Sequence, residues 1–314
     1  MKEMIWGGSR LSSEFGYEIP SEHTGECWAV SAHPNGDCTI KNGSYAGKTL
    51  SELWKTQHEL FGMAEGEQFP LLIKIIDAKA DLSIQVHPDD TYAREHEKGS
   101  CGKTECWYIL DCDEDAQIVI GQNAKSKEEL KEMIDQKQWR KLIRQIPIKK
   151  GDFFQITPGT VHAIKAGTLI LETQQNSDIT YRLYDYDRLQ NGKPRELHIK
   201  KSIDVIQCPY KATSLDYKEE QLEHAKVIQL VQCEFYTVLK IEVDGKQSFT
   251  MKEPFMICSV IEGTGSIDGI EVKKGDHFIL PHGYDNFTLE GKLTFIASHI
   301  SSKSQPAKIG RKVV

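Results

Sequence analysis

The sequence predicts an all-β protein built from two β-barrels or sandwiches with one adjoining helical segment. Three observations carry that expectation. Short runs rich in β-branched and aromatic residues recur along the 314 positions, separated by Gly- and Pro-containing turns. Helical patterning is concentrated at 125–144 and does not alternate with the strands, which argues against a parallel βαβ sheet. A strand–turn unit opening on Gly-Asp occurs twice, at 151–164 and at 275–289.

In the N-terminal half, FPLLIKIID (69–77), DLSIQVH (81–87), CWYIL (106–110), AQIVI (116–120), DFFQI (152–156) and TLILETQQ (168–175) read as strands. Successive side chains point to opposite faces of a strand. In LSIQVH this places Leu82, Ile84 and Val86 on one face and Ser83, Gln85 and His87 on the other. Pro88 has no N–H to offer a neighbour and ends the ladder. The C-terminal part continues with FYTVLKIEVDG, PFMICSVIEGTGSIDG, GIEVKKGDHFILPHG and KLTFIASHI.

The helical stretch SKEELKEMIDQKQWRKLIRQ spaces Leu130, Met133, Ile134, Trp139, Leu142 and Ile143 along one face. Ser126 can accept from first-turn N–H groups, and Glu129, three residues on, can bond back. TLSELWKTQHELFG (49–62) repeats this signature with Thr49 and Glu52 and reads as a second helix.

The repeated unit pairs GDFFQITPGTVHAI with GDHFILPHGYDNFTL, each preceded by two lysines. Setting Pro158 against Pro281 brings His162 opposite Asp285. The second copy keeps the frame and loses the histidine, as expected of a degenerate second barrel.

Composition narrows the function. A formal charge of −7 gives no basic surface for nucleic acid. Apolar runs such as FPLLIKII are too short to span a membrane, and MKEMIWGGSRLSSEFG lacks the apolar core of a signal peptide. Eight cysteines form no CxxC pair and read as reduced thiols of a cytoplasmic protein. The spacing of Cys101, Cys106 and Cys112 matches no common zinc knuckle. The tail SSKSQPAKIGRKVV reads as a solvated end. A monomer is the default expectation, with a dimer left open.

The chemistry concentrates in QVHP, GKTE and TPGTVHAI. If His162 faces inward, it meets Gln85, His87 and Glu105. Two imidazoles, a carboxylate and an amide oxygen make a four-ligand set for Zn²⁺. Singly, each has a bland reading: His87 on a strand edge, His162 satisfied in a core, Glu105 paired with Lys103. Their joint occurrence at Pro-marked strand ends favours the metal. His23, His33, His58 and His96 lack such a setting and read as surface residues.

QVHPDD, GKTE, TPGTVHAI and SDITYRL, in this order, resemble the type I mannose-6-phosphate isomerases in their short bacterial form, over about residues 1–300. The resemblance implies two cupin (jelly-roll) β-barrels with a helical segment beside the first. The expected division is 1–120 with 145–225 as the metal-bearing cupin, 121–144 as a helical insertion and 226–314 as a degenerate cupin. It implies one zinc ion per chain, held by Gln85, His87, Glu105 and His162. It places the catalytic arginine at Arg182, the motif lysine at Lys103 and an active-site carboxylate at Glu172. The wide gap between His87 and Glu105 departs from the general cupin pattern but belongs to this family's.

The family reaction interconverts mannose 6-phosphate and fructose 6-phosphate through a cis-enediol, so the implied partner is a small sugar phosphate. Arg182 suits stabilisation of the enediolate, since a guanidinium keeps its charge. Lys103 and Glu172 both stay open as proton carriers, with a lean toward Glu172, and His96 or a metal-bound water stay open beside them. Arg188, Lys193 and Arg195 are candidates for the phosphate, or equally for a solvated loop. The competing functions are a non-catalytic sugar-phosphate-binding cupin module and a metal-dependent cupin dioxygenase. The neutral Gln85 ligand with Lys103 and Arg182 suits isomerisation better.

Overall fold

The computed structural model describes residues 1–301, and over these the chain is a mixed α/β protein rather than an all-β one. Six α-helices accompany the strands, and no sheet closes into a barrel. Both departures from the expected pair of cupin barrels have physical causes. The helices Arg10–Phe15, Asp90–His96 and Ile199–Val205 are six or seven residues long. Two turns are too few to display a helical period. The sheets stay open because their outer strands do not pair with each other across the fold.

Two compact units divide the chain. The first comprises Met1–Trp28 and Leu72–Ser214. Its six-stranded sheet runs in the order Lys2–Gly8, Thr24–Val30, Leu71–Ala78, Thr168–Gln175, Glu105–Cys112, Phe153–Ile156. A five-stranded sheet runs Tyr181–Tyr184, Ile84–Val86, His162–Ile164, Gln117–Gln122, Ile143–Pro147. Trp107, Ile109 and Ile170 of the first sheet pack with Ile118, Ile120 and Ile164 of the second. On the other face of the five-stranded sheet, Ile84, Val86, Val119, Ala163 and Leu183 meet Leu130, Ile134, Leu142 and Ile206. Helices therefore cover one face, and strand alternation leaves the polar residues of the same strands facing inward.

The helical segment expected at 125–144 forms Lys127–Asp135 and Trp139–Leu142. Ser126 Oγ accepts from Glu129 N at 3.2 Å. Glu129 Oε2 bonds back to Lys125 N at 2.7 Å, one residue ahead of the cap.

Among the described residues, the second unit comprises Ala29–Leu71 and 215–301. Its seven-stranded sheet centres on Tyr236–Thr250, Asn286–Ile300 and Met256–Ile267. Gly291 lies opposite both Gly245 and Gly265. A Cβ on Gly291 would come within 2.6 Å of Gly265 Cα, and its φ of +129° favours glycine. The three strands can approach this closely only without side chains at that row. Leu239, Ile241, Phe249, Leu289 and Phe295 build the core of this unit.

The helix expected at 49–62 forms Leu50–Thr56, capped by Thr49, and resumes as a 3-10 turn over His58–Phe61. Trp54, Phe61, Phe69 and Phe255 form a ring cluster with centroids 5.1–6.4 Å apart. His58 is not a plain surface residue: it is half-buried, with ring nitrogens 2.8 Å from Trp54 O and 2.7 Å from Ala64 O.

The sequence echo is also an echo of structure. Gly151 N donates to Ile109 O, and Ile109 N to Asp152 O, both at 2.9 Å. Gly275 N donates to Val260 O, and Val260 N to Asp276 O, again at 2.9 Å. Asp152 and Asp276 accept from Lys149 N and Lys273 N in the same way. Each unit thus carries one copy of the turn. The basic tail beyond Ser301, read as a solvated end, lies outside the described residues.

Phe255→Ala should cost about 3–5 kcal/mol in urea unfolding, because Phe255 is fully buried in its ring cluster. A cost below about 1 kcal/mol would show that the cluster is not a close-packed core.

Candidate metal centre

Strand register assembles the site. His162 and Arg182 both pair with Gln85, one from each side. The three residues therefore form a row across the five-stranded sheet. In the six-stranded sheet Glu105 pairs with Gln174, and Trp107 with Glu172. Alternation puts Glu105 and Trp107 on one face of their strand, and Glu172 and Gln174 on the matching face of theirs.

Donor atoms converge between these faces. His87 Nε2 lies 3.1 Å from His162 Nε2 and 3.4 Å from Glu105 Oε2. His162 Nε2 lies 3.4 Å from Glu105 Oε1. The Gln85 amide reaches within 3.3 Å of His162 Nε2, and half a turn of that amide exchanges its nitrogen for its oxygen. His87, Glu105 and His162 are buried, and among the described residues they form a group of three that could hold a metal ion.

The donor set fits a divalent cation. Tetrahedral ligands about 2.0–2.1 Å from zinc stand roughly 3.3 Å from one another, which matches the separations here. Thr160 O lies 2.8 Å from His162 Nδ1. That nitrogen carries the proton, so Nε2 presents a lone pair to the centre. Burial disfavours a second proton on His162, although Glu105 and Thr160 work the other way. His87 is lowered to about 3 by burial and by the Lys103 charge, against Glu105. Burial pushes the Glu105 carboxyl up, but Lys103, His87 and His162 outweigh it and hold the group well below the usual carboxylate range. The result is an anionic oxygen pair facing two neutral imidazoles, an arrangement that positive charge completes.

Comparisons with known proteins agree with this geometry. Residues 1–109 match the family model described as phosphomannose isomerase type I, catalytic domain. Residues 226–300 match that described as mannose-6-phosphate isomerase, cupin domain. Mannose-6-phosphate isomerase ManA of Bacillus subtilis (strain 168) is 53% identical over 304 residues, covering 95% of this chain and 96% of the relative. The chain belongs to the type I phosphomannose isomerases. A mannose-6-phosphate isomerase of Streptococcus mutans is 50% identical over 306 residues, covering 95% of this chain and 96% of that one. The crystal structure of the mannose 6-phosphate isomerase from Bacillus subtilis superposes with a TM-score of 0.94 at 52% identity, covering 95% and 97% of the two chains.

The other residues singled out from the sequence take several positions in this isomerase fold. Lys103 Nζ lies 2.6 Å from Glu105 Oε2 and 3.2 Å from His87 Nε2, at the edge of the donor set. Glu172 is buried, with Oε2 accepting from Trp107 Nε1 at 2.9 Å. Arg182 is half-buried in the Gln85 row, and its Nη1 donates to Glu196 O at 2.8 Å. Arg188 and Arg195 both close on the buried carboxylate of Asp185, at 2.6 and 2.5 Å. Lys193 is exposed on a two-stranded hairpin. His96 is exposed, ending a short helix with its ring against Tyr92. None of the eight cysteines forms a disulfide or joins the metal group.

Lys74 escaped the sequence reading. It is buried with Nζ 3.2 Å from Glu172 Oε1. Its signal was a single ammonium inside the apolar run LLIKII, where a charge is kept only with a partner.

His87→Ala and His162→Ala should each lower bound metal from about one ion per chain to near none, by elemental analysis after gel filtration. Full metal content in both variants would move the site elsewhere.

Proposed function

We propose that this chain is a zinc-dependent aldose–ketose isomerase that interconverts mannose 6-phosphate and fructose 6-phosphate through a cis-enediol. The observation that carries the reading is the convergence of His87, Glu105 and His162 between two sheets, in a member of this family. Gln85 is assigned as the fourth ligand, from its place between His162 and Arg182. Two imidazole nitrogens, a carboxylate and an amide oxygen suit zinc, which accepts mixed nitrogen and oxygen donors. When bound, such an ion supplies Lewis-acid polarisation of substrate oxygens.

The protein groups supply the proton movements. The Glu172 carboxylate removes the C2 proton of the open-chain aldose. The freed electron pair forms the C1=C2 bond, the C1=O1 π pair moves onto O1, and O1 takes up a proton to become a hydroxyl. The O2 hydroxyl then gives up its proton, which balances the one taken by O1, and collapses to the carbonyl; the C1=C2 pair moves to C1, which takes the carbon-bound proton back from Glu172. Burial and the Glu105 charge push the Glu172 carboxyl upward, toward the working pH of a general base. Arg182 has a buried Nε without a hydrogen-bond partner. That donor is suited to oxyanion charge developing beside the Gln85 row. We assign Lys103 to ring opening, which must precede enolisation.

We read the chain as a cytoplasmic enzyme acting as a monomer on a small sugar phosphate. No helix among the described residues is long and apolar enough to cross a membrane. None of the eight cysteines forms a disulfide, which suits a reducing compartment. No step above calls on a second subunit.

The zinc-loaded protein should interconvert the two hexose phosphates and, in D₂O, exchange the transferred hydrogen with solvent. Glu172→Gln should lower kcat by about 10²–10⁴-fold while keeping its metal. A variant retaining kcat within about tenfold would remove Glu172 from proton transfer.

A further inference from the structure

Lys74 lies in the strand Leu71–Ala78, whose residues are all buried. Lys74 itself is 5% exposed. A buried ammonium is costly unless an opposite charge and aligned contacts compensate it. Here the compensation is specific. Lys74 Nζ lies 3.2 Å from Glu172 Oε1, and Trp107 Nε1 donates to Oε2 of the same carboxylate at 2.9 Å. Oε2 of Glu172 thus accepts a hydrogen bond, while Oε1 faces the ammonium as an ion pair without an aligned hydrogen bond. The ammonium is also 5.2 Å from the centre of the Trp28 ring, whose Nε1 donates to Glu26 Oε2 at 2.7 Å. Lys2 Nζ approaches the Trp28 ring at 3.5 Å.

We infer that Lys74 is a positioning residue for the proton transfer: its ammonium is the buried counter-charge in contact with Glu172 and, with Trp107, fixes the direction of its carboxylate. This rests on the reading of Glu172 as the proton carrier. Lys74 itself exchanges no proton with the substrate. The charged groups acting on Glu172 are Glu105, Lys103, Lys74 and Glu26. Burial, Glu105 and Glu26 favour the protonated acid, and the two lysines oppose them. Burial also weakens the charge on Lys74, but Glu172, Glu26 and Glu105 together outweigh it, so the lysine stays an ammonium. An apolar residue of similar length would fill the same space in the strand. What it would lack is the charge, so the proposal concerns charge rather than packing.

The test is the pH profile of kcat/KM on zinc-loaded wild type, Lys74→Met, Lys74→Arg and Glu172→Gln. Loss of the ammonium raises the carboxyl's proton affinity, so less carboxylate exists at a given pH. For Lys74→Met the acid limb should therefore move up by about one to three pH units, with activity recovering on the alkaline side. Lys74→Arg should restore the limb, and metal content should match wild type in both. An unmoved limb in Lys74→Met, with kcat/KM uniformly reduced, overturns the proposal, as does a loss confined to KM. If Lys74→Met does not fold, Lys74→Gln takes its place. If neither folds, Lys74→Arg decides: a limb displaced by more than about one unit refutes a role based on charge. Glu172→Gln separates the two levels. Full activity there removes the proton-carrier reading itself. An inactive Glu172→Gln with an unmoved Lys74→Met limb removes only the role of Lys74.

Discussion

A carboxylate with no exposure to solvent, Glu105, is the constraint around which the first unit is arranged. A lone carboxylate in such a place would take up a proton or unfold its surroundings. Here the Lys103 ammonium, 2.6 Å from it, holds it ionised, and His87 and His162 stand beside it. Each of these comes from a different stretch of chain, so the charge can be kept only when Ile84–Val86, Glu105–Cys112 and His162–Ile164 are all in register. A one-residue slip in any of them would send its functional side chain to the opposite face. The same alternation that buries Ile84, Val86 and Ala163 under the helices therefore fixes the donor set on the other side.

The second buried charge pair obeys the same rule one strand away. Lys74 and Glu172 neutralise each other, and Trp107 ties that pair to the strand carrying Glu105. The inner face of the six-stranded sheet thus changes character along its length. Trp107, Ile109 and Ile170 make a dry core at one end. Beyond them lies a polar end in which every charge has an opposite charge nearby. A low-dielectric surround strengthens such pairs and makes each unpaired group expensive. In that setting Glu172 keeps its buried place beside Lys74 and Trp107.

Much of the site was legible in the sequence for local reasons. Alternation in LSIQVH put Gln85 and His87 on one face, and Pro88 marked the strand end. The caps at Ser126 and Thr49 were readable because a capping side chain and its partner lie three residues apart. The repeated Lys-Lys-Gly-Asp turn was readable because its hydrogen bonds are also local. What stayed hidden depends on distance along the chain. Lys74 meets Glu172 only through sheet pairing, and an isolated lysine in LLIKII does not name its partner. The short helices lack the length to show a period. Sheet closure depends on which edge strands meet, and no strand carries that information alone, so open sheets stood where barrels were expected. The grouping of Ala29–Leu71 with the C-terminal strands rests on aromatic contacts such as Trp54 with Phe255.

His87, Glu105 and His162 form one divalent metal site. The most direct test is a crystal of the zinc-loaded protein, with anomalous diffraction recorded on either side of the zinc absorption edge. A single strong peak per chain is expected, within about 2.0–2.2 Å of His87 Nε2, His162 Nε2 and a Glu105 oxygen. The strongest peak lying elsewhere, with Lys103 remaining as the only cation beside Glu105, would contradict it.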